Sequence, residues 1–266
     1  MTLIRLAALT PLLLAALAAC TTTGSGPGEG IARQPVSAEV PNTEARQRSK
    51  VHVELGALYL QEGRFAVALE EARIALDSDG AYAPAYNLMG LTYMFLGENK
   101  LAEENFERAL RLAPGDPEIG NNYGLFLCQS GREARSIDFF LRSARNPLYP
   151  TPTKPLTNAG RCATLIKDDK SAEDYLHRAY QADPGNSQAV FLLAEIAYRG
   201  GRLPEARQWL VDLEKMTELN AEATWLALRV ERRLGNREGE ARHAAQLRRK
   251  FATSTEHRKL QQGNYE

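Results

Sequence analysis

Tyr86-Asn87-Leu88-Met89-Gly90-Leu91-Thr92-Tyr93-Met94-Phe95-Leu96-Gly97 opens the most regular stretch of the chain, and Ala102, Phe106, Ala109 and Pro114 complete it. Tyr86, Met89, Gly90 and Tyr93 fall on one helix face at spacings of three and four. Ala102, Phe106 and Ala109 do the same on a second helix, and Pro114 closes the unit beyond that helix's end. Gly90 and Ala102 are small, so two antiparallel helices can approach closely there while Tyr93 and Phe106 fill the space on either side. Gly97 sits in the turn, where a positive φ is convenient.

The unit recurs. Gly56, Gly90 and Gly124 are 34 residues apart, Gly160 follows after 36, and Ala194 and Leu228 continue at further steps of 34. Thirty-four residues is the length of a tetratricopeptide repeat, a helix pair that cannot bury its apolar face alone and must stack on neighbours. The pattern predicts an all-α fold: an α-solenoid of about six such repeats over residues 47–252, wound as a right-handed superhelix. A solenoid offers a concave surface to another polypeptide, not a pocket for chemistry. Repeat three has Ser136 where alanine is expected, and repeat six is degenerate, with Ala241 slipped by one position. Between repeats three and four, Asn146-Pro147-Leu148-Tyr149-Pro150-Thr151-Pro152-Thr153-Lys154-Pro155 carries four prolines and predicts a rigid, extended elbow.

The N-terminus is of another kind. Arg5 precedes an apolar run from Leu6 to Ala19 that is interrupted by Pro11 and too short to span a bilayer comfortably. It ends in Leu17-Ala18-Ala19-Cys20, the pattern of a bacterial lipobox. The expectation is a signal peptide over 1–19 and lipidation at Cys20, with acyl chains that each contribute about 0.8 kcal/mol of anchoring per buried methylene. The alternative is an ordinary cleavable signal peptide. Thr21 stands where inner-membrane retention usually places Asp, so the expected destination is the periplasmic face of the outer membrane. Residues 20–46, with Gly26-Pro27-Gly28-Glu29-Gly30, Pro35 and Pro41, read as a flexible linker. About 25 such residues span roughly 25–30 Å. The glycines lack the lysine, strand and helix of a phosphate loop.

Lys and Arg number 33 and Asp and Glu 33, so nothing favours a polyanion such as nucleic acid. The segment 253–266 is a basic polar tail. With Arg248, Arg249 and Lys250 before it, it reads as a solvated capping helix or, alternatively, as a contact for anionic lipid or an acidic partner. His52, His177, His243 and His257 show no metal-ligand spacing. Asp168 and Asp169 suit a helix N-terminus better than a catalytic pair, and no nucleophile motif occurs. No enzyme, cofactor or small-molecule substrate is expected. Cys128 and Cys162 fall on adjacent inner helices of repeats three and four. In an oxidising compartment a disulfide is expected there, clamping the two repeats across the prolines, with two separately buried thiols as the alternative.

Positions 2, 5, 9, 12 and 13 of each first helix face the trough. In repeats one to three these include Val53, Leu60, Asn87, Leu91, Met94, Phe95, Asn121 and Leu125. The apolar members suit a partner's side chains, and Asn87 and Asn121 are expected to hold its backbone. The alternative is packing against neighbouring helices or a cap formed by the tether. The set by which chaperone cofactors clamp a terminal carboxylate is absent.

Asn121-Asn122-Tyr123-Gly124-Leu125-Phe126-Leu127-Cys128, with Pro147-Leu148-Tyr149-Pro150 and Asn158-Ala159-Gly160-Arg161-Cys162, resembles the type IV pilus biogenesis and stability lipoproteins, or type IV pilotins. The resemblance covers the lipobox and essentially all repeats. It implies a periplasmic solenoid of six repeats held on the outer membrane, whose partner is the type IV pilus secretin and whose task is to carry that secretin to the membrane and promote its multimerisation. Competing expectations are a repeat lipoprotein in outer-membrane barrel assembly and a periplasmic enzyme hidden in the fold.

Overall fold

Helix follows helix from Glu44 onward: α1 Glu44–Gln61, α2 Phe65–Ser78, α3 Ala83–Phe95, α4 Asn99–Leu112, α5 Pro117–Gln129, α6 Glu133–Ala144, α7 Thr153–Leu165, α8 Asp169–Ala182, α9 Ser187–Arg199, α10 Leu203–Met216, α11 Ala221–Arg233, α12 Arg237–Lys250 and α13 Thr255–Gln262. The computed structural model describes residues 35–36 and 39–265; the expected signal peptide, Cys20 and most of the expected linker lie outside the described residues. Among the described residues there is no strand. The first twelve helices form six antiparallel pairs, stacked as a tetratricopeptide-repeat solenoid. The first helix of each pair also packs on the first helix of the next, so α1, α3, α5, α7, α9 and α11 form one wall.

Local chemistry sets the ends. Asp116, Asp168, Asn186, Asn220 and Asn236 each cap a helix by accepting a backbone N–H with the side chain. Pro84, Pro117 and Pro204 occupy first-turn positions that need no N–H. The turn inside each pair uses a left-handed residue, glycine in five repeats and Lys167 at φ 60° in repeat four.

The recurrent glycine is explained by what lies opposite it. A Cβ on Gly90 would stand 2.9 Å from the Phe106 ring, on Gly124 2.8 Å from Phe140, and on Gly160 2.5 Å from Leu176. Each large partner is fully buried, and each fills the space that the missing side chain leaves. Repeat six inverts the arrangement: Leu228 is large and shares its cluster with Ala244 on α12, so total volume is kept.

Two apparent irregularities have physical explanations. Ser136 is fully buried, and its hydroxyl donates to the Gly124 carbonyl at 2.7 Å, so the polar atom is satisfied in alanine's place. In repeat six the close approach is made by Gly239, whose added Cβ would meet Glu231 at 2.9 Å; Ala241 is exposed. The expectation of Ala241 slipped by one position is thereby corrected, because the α12 register turns Gly239 toward α11.

Phe251, Leu260 and Tyr265 pack on Trp225, Leu228, Ala244 and Leu247, with the Tyr265 ring stacked 5.6 Å from Trp225 and Arg232 3.9 Å over Tyr265. The C-terminal residues therefore cover the apolar end of the stack, as a terminal unit must, and the basic residues Arg248, Arg249 and Lys250 stay exposed.

Ion pairs tie successive repeats. Arg132 meets Glu103, Lys154 meets Glu118 at 2.8 Å, Arg202 meets Glu173 at 2.8 Å and Arg207 meets Glu231 at 2.9 Å. Arg132 holds the Glu103 carboxyl below its ordinary range, and Arg202 does so for Glu173. For Glu118, burial pushes up, but Lys154 and the hydrogen bonds of Lys154, Tyr149 and Asn122 outweigh it and hold the carboxyl low. A lowered native value contributes stability that is present above the unfolded glutamate value, about 4.3, and is lost as pH falls through the native one. Asp116 and Glu195, raised by burial, act in the opposite sense. The expected result is that wild-type protein loses more melting temperature between about pH 5 and pH 3 than Glu118→Gln does. Equal slopes would show that the Glu118 link contributes nothing.

Candidate functional site

The inner wall of repeats one to three is part groove and part lattice. Phe95 is 58% exposed and its ring stacks near-parallel with that of Phe65, centroids 6.3 Å apart. Leu60, Leu91 and Leu125 are half-buried. Leu91 and Leu125 pack against the cluster of Met94, Phe106, Tyr123 and Phe126. Met94 is buried in that cluster and serves as floor. Val53 packs against Ala75, Tyr82 and Ala85 at the N-terminal end. The apolar inner positions are thus exposed Phe95 and half-buried Leu60, Leu91 and Leu125, with Leu91 and Leu125 backed by the Met94 cluster.

The asparagines do something else. Asn121 is fully buried and Asn87 nearly so. Asn158 donates to Asn121 at 3.0 Å, Asn121 to Asn122 at 3.2 Å, and Asn122 to Asn87 at 3.3 Å. This chain of amides runs across α3, α5 and α7 and fixes their relative positions. Asn87 and Asn121 therefore bind neighbouring repeats, and the expectation that they hold a partner's backbone is corrected. Satisfying buried amides between repeats avoids the cost of about 1–3 kcal/mol for each unpaired group.

The elbow is built into the same wall, and the expectation that it is extended through Pro155 is corrected. Thr153, Lys154 and Pro155 form the first turn of α7, where a proline needs no N–H partner, and the Tyr149 N–H donates to the Asn146 carbonyl at 3.0 Å in a turn. Tyr149 is buried, and its hydroxyl donates to Glu118 at 2.6 Å, beside Lys154 on the other carboxylate oxygen. Burial and the Glu118 charge push the Tyr149 phenol far above its ordinary range. Next to it, the end of the linker is docked. Pro35 is buried, and the Val36 N–H donates at 2.7 Å to Asp116, the residue that caps α5. Val36 itself packs among Ala83, Tyr86 and Ile119. Residues 35–36 thus belong to the folded body, which shortens the expected free linker.

Cys128 and Cys162 are joined by a disulfide between α5 and α7, Cα atoms 6.0 Å apart. Among the described residues no group of three or more His, Cys, Asp or Glu is placed to hold a metal ion.

Tetratricopeptide-repeat family models match residues 83–116 and 168–225. The crystal structure of PilW, a widely conserved type IV pilus biogenesis factor, superposes with a TM-score of 0.74 at 30% identity, covering 80% of this chain and 98% of that one. The chain belongs to the PilW/PilF family of type IV pilus biogenesis proteins. The type IV pilus assembly protein PilF of Pseudomonas aeruginosa is 26% identical over 255 residues, 96% of this chain and 97% of its own length. A solved structure of P. aeruginosa PilF also superposes with a TM-score of 0.74, covering 83% of this chain and 100% of that one.

Within this PilW/PilF solenoid the inner positions of repeats four to six hold residues that the sequence reading passed over. Arg161, Thr164 and Leu165 on α7, Gln188, Phe191 and Glu195 on α9, and Glu222 on α11 line a trough. The same positional rule that selects Leu91 and Phe95 finds them once it is carried past the elbow. Tetratricopeptide solenoids of this family mediate protein–protein contact, and both halves of the wall offer surface for it.

Proposed function

We propose that this protein is a lipid-anchored adaptor on the periplasmic face of the outer membrane, which binds the type IV pilus secretin and promotes its localisation and multimerisation. The observation that carries the proposal is the inner-wall set of exposed Phe95 with half-buried Leu60, Leu91 and Leu125 on a solenoid belonging to a pilus biogenesis family. Aromatic and aliphatic side chains backed by a rigid core make effective anchors for a partner segment. Acylation at Cys20 supplies the membrane. Holding several secretin subunits against one leaflet turns their encounter into a local event, raising effective concentration without any new contact.

Cys20→Ala tests the anchor. The variant is expected to keep its helical circular-dichroism spectrum and melting temperature while secretin multimers disappear from the outer-membrane fraction and monomers collect elsewhere. Normal secretin multimers in the outer membrane of that strain contradict the proposal. Co-purification with barrel-assembly components in place of a secretin points to the scaffold role instead.

A further inference from the structure

The trough of repeats four to six, about 700 Å³ in volume, is not used by the function proposed above. Its floor is apolar: Leu192 and Leu219 are buried, Phe191 is half-buried, and Leu165 on the rim is 61% exposed. Glu195 on α9 and Glu222 on α11 line the same space. Among the described residues neither carboxylate forms an ion pair. The cations acting on Glu195 are engaged elsewhere, Arg199 with Asp169 and Arg229 over the rings of Tyr198 and Trp225. Glu218, also on the rim, is paired with Lys250. Among the lining residues Arg161 is the one basic side chain, set against the carboxylates Glu195 and Glu222, neither of which is in an ion pair among the described residues. The surface is therefore apolar below and net negative along one side. Burial and then the Glu222 charge push the Glu195 carboxyl up and outweigh the lowering pull of Arg199 and Arg229.

We propose that this trough is a second polypeptide-binding site, taking an extended segment of a partner protein in which a lysine or arginine is flanked by apolar residues. The basic side chain sits between Glu195 and Glu222, and its apolar neighbours rest on Phe191 and Leu165. An extended segment sends alternate side chains to opposite sides, which suits a wall that offers charge and apolar surface within a few residues. The site is separate from the strip of repeats one to three and does not depend on which protein occupies that strip.

The test uses the full-length protein in cells, with p-benzoyl-phenylalanine in place of Leu165. Irradiation is expected to yield an adduct whose partner peptide, read by mass spectrometry, contains Lys or Arg beside apolar residues. Glu195→Lys with Glu222→Lys is expected to lower adduct yield about tenfold, and the shape-preserving pair Glu195→Gln with Glu222→Gln about fivefold. Adducts from a probe at Phe95 should be unchanged in both variants, which separates this site from the first and controls for misfolding. The proposal is overturned by absence of an adduct, by a yield indifferent to both pairs of substitutions, or by a partner peptide lacking a basic residue. An adduct to a second copy of this chain, or to its own residues 1–34, overturns it equally.

Discussion

Replacing Cys128 and Cys162 together by alanine is expected to cost about 3–4 kcal/mol of stability, the chain-entropy value for a bridge closing a loop of this length. The sequence separation is 34, so the bridge joins neighbouring repeats across the elbow. A solenoid holds together through nearest-neighbour interfaces, so a weak seam divides the molecule. At the boundary of repeats three and four, α5 and α7 are joined by the disulfide, the amide pair Asn158–Asn121 and the Tyr149–Glu118–Lys154 group, while Ile137 and Leu141 of α6 pack on the cores that hold Leu156, Ala159 and Cys162. Without the covalent link, repeats one to three and four to six are expected to unfold in two steps, the second half exchanging its amide hydrogens independently of the first. Urea titration followed by circular dichroism, with hydrogen exchange read by mass spectrometry, checks this. A single unchanged transition in the variant, or in wild-type protein treated with reductant, would mean that the bridge is incidental. Both strip and trough residues lie within the separate halves, so local binding at each should survive while coupling between them weakens.

Much of the architecture is legible in the chain because one physical constraint repeats. Gly90, Gly124 and Gly160 each face a large buried side chain, and that pairing fixes helix spacing, hence the period. Cys128 and Cys162 are legible for the same reason, since a separation close to one period places two residues on adjacent inner helices. What escapes the sequence is contact set by three-dimensional register. Asn121 looks alike whether it faces a ligand or a neighbour; its burial depends on Asn122 and Asn158, and the latter is 37 residues away. Tyr149 finds Glu118 across 31 residues, through an elbow whose path the prolines do not dictate. Val36 finds Asp116 across 80, from a segment whose composition promises only a tether. Glu195 was within reach of the repeat rule, but its unpaired state required knowing that Arg199 turns to Asp169.

The strip in repeats one to three is expected to bind the secretin through its side chains, and the effect of spoiling it should be large. Leu91→Glu with Phe95→Glu places two charges on a surface whose attraction is apolar; because Leu91 also packs on Met94 and Phe106, the variant's melting temperature is measured beside its binding. Loss of two such anchors is expected to weaken association by about tenfold or more. The direct measurement is site-specific photo-cross-linking in cells, with p-benzoyl-phenylalanine at Phe95 and, as the comparison, at Glu104, an exposed residue of α4 on the second-helix side. The account predicts a secretin adduct from Phe95, abolished by charge at Leu91, and none from Glu104. Equal adducts from both positions, or none from Phe95 while Glu104 captures the secretin, would contradict it.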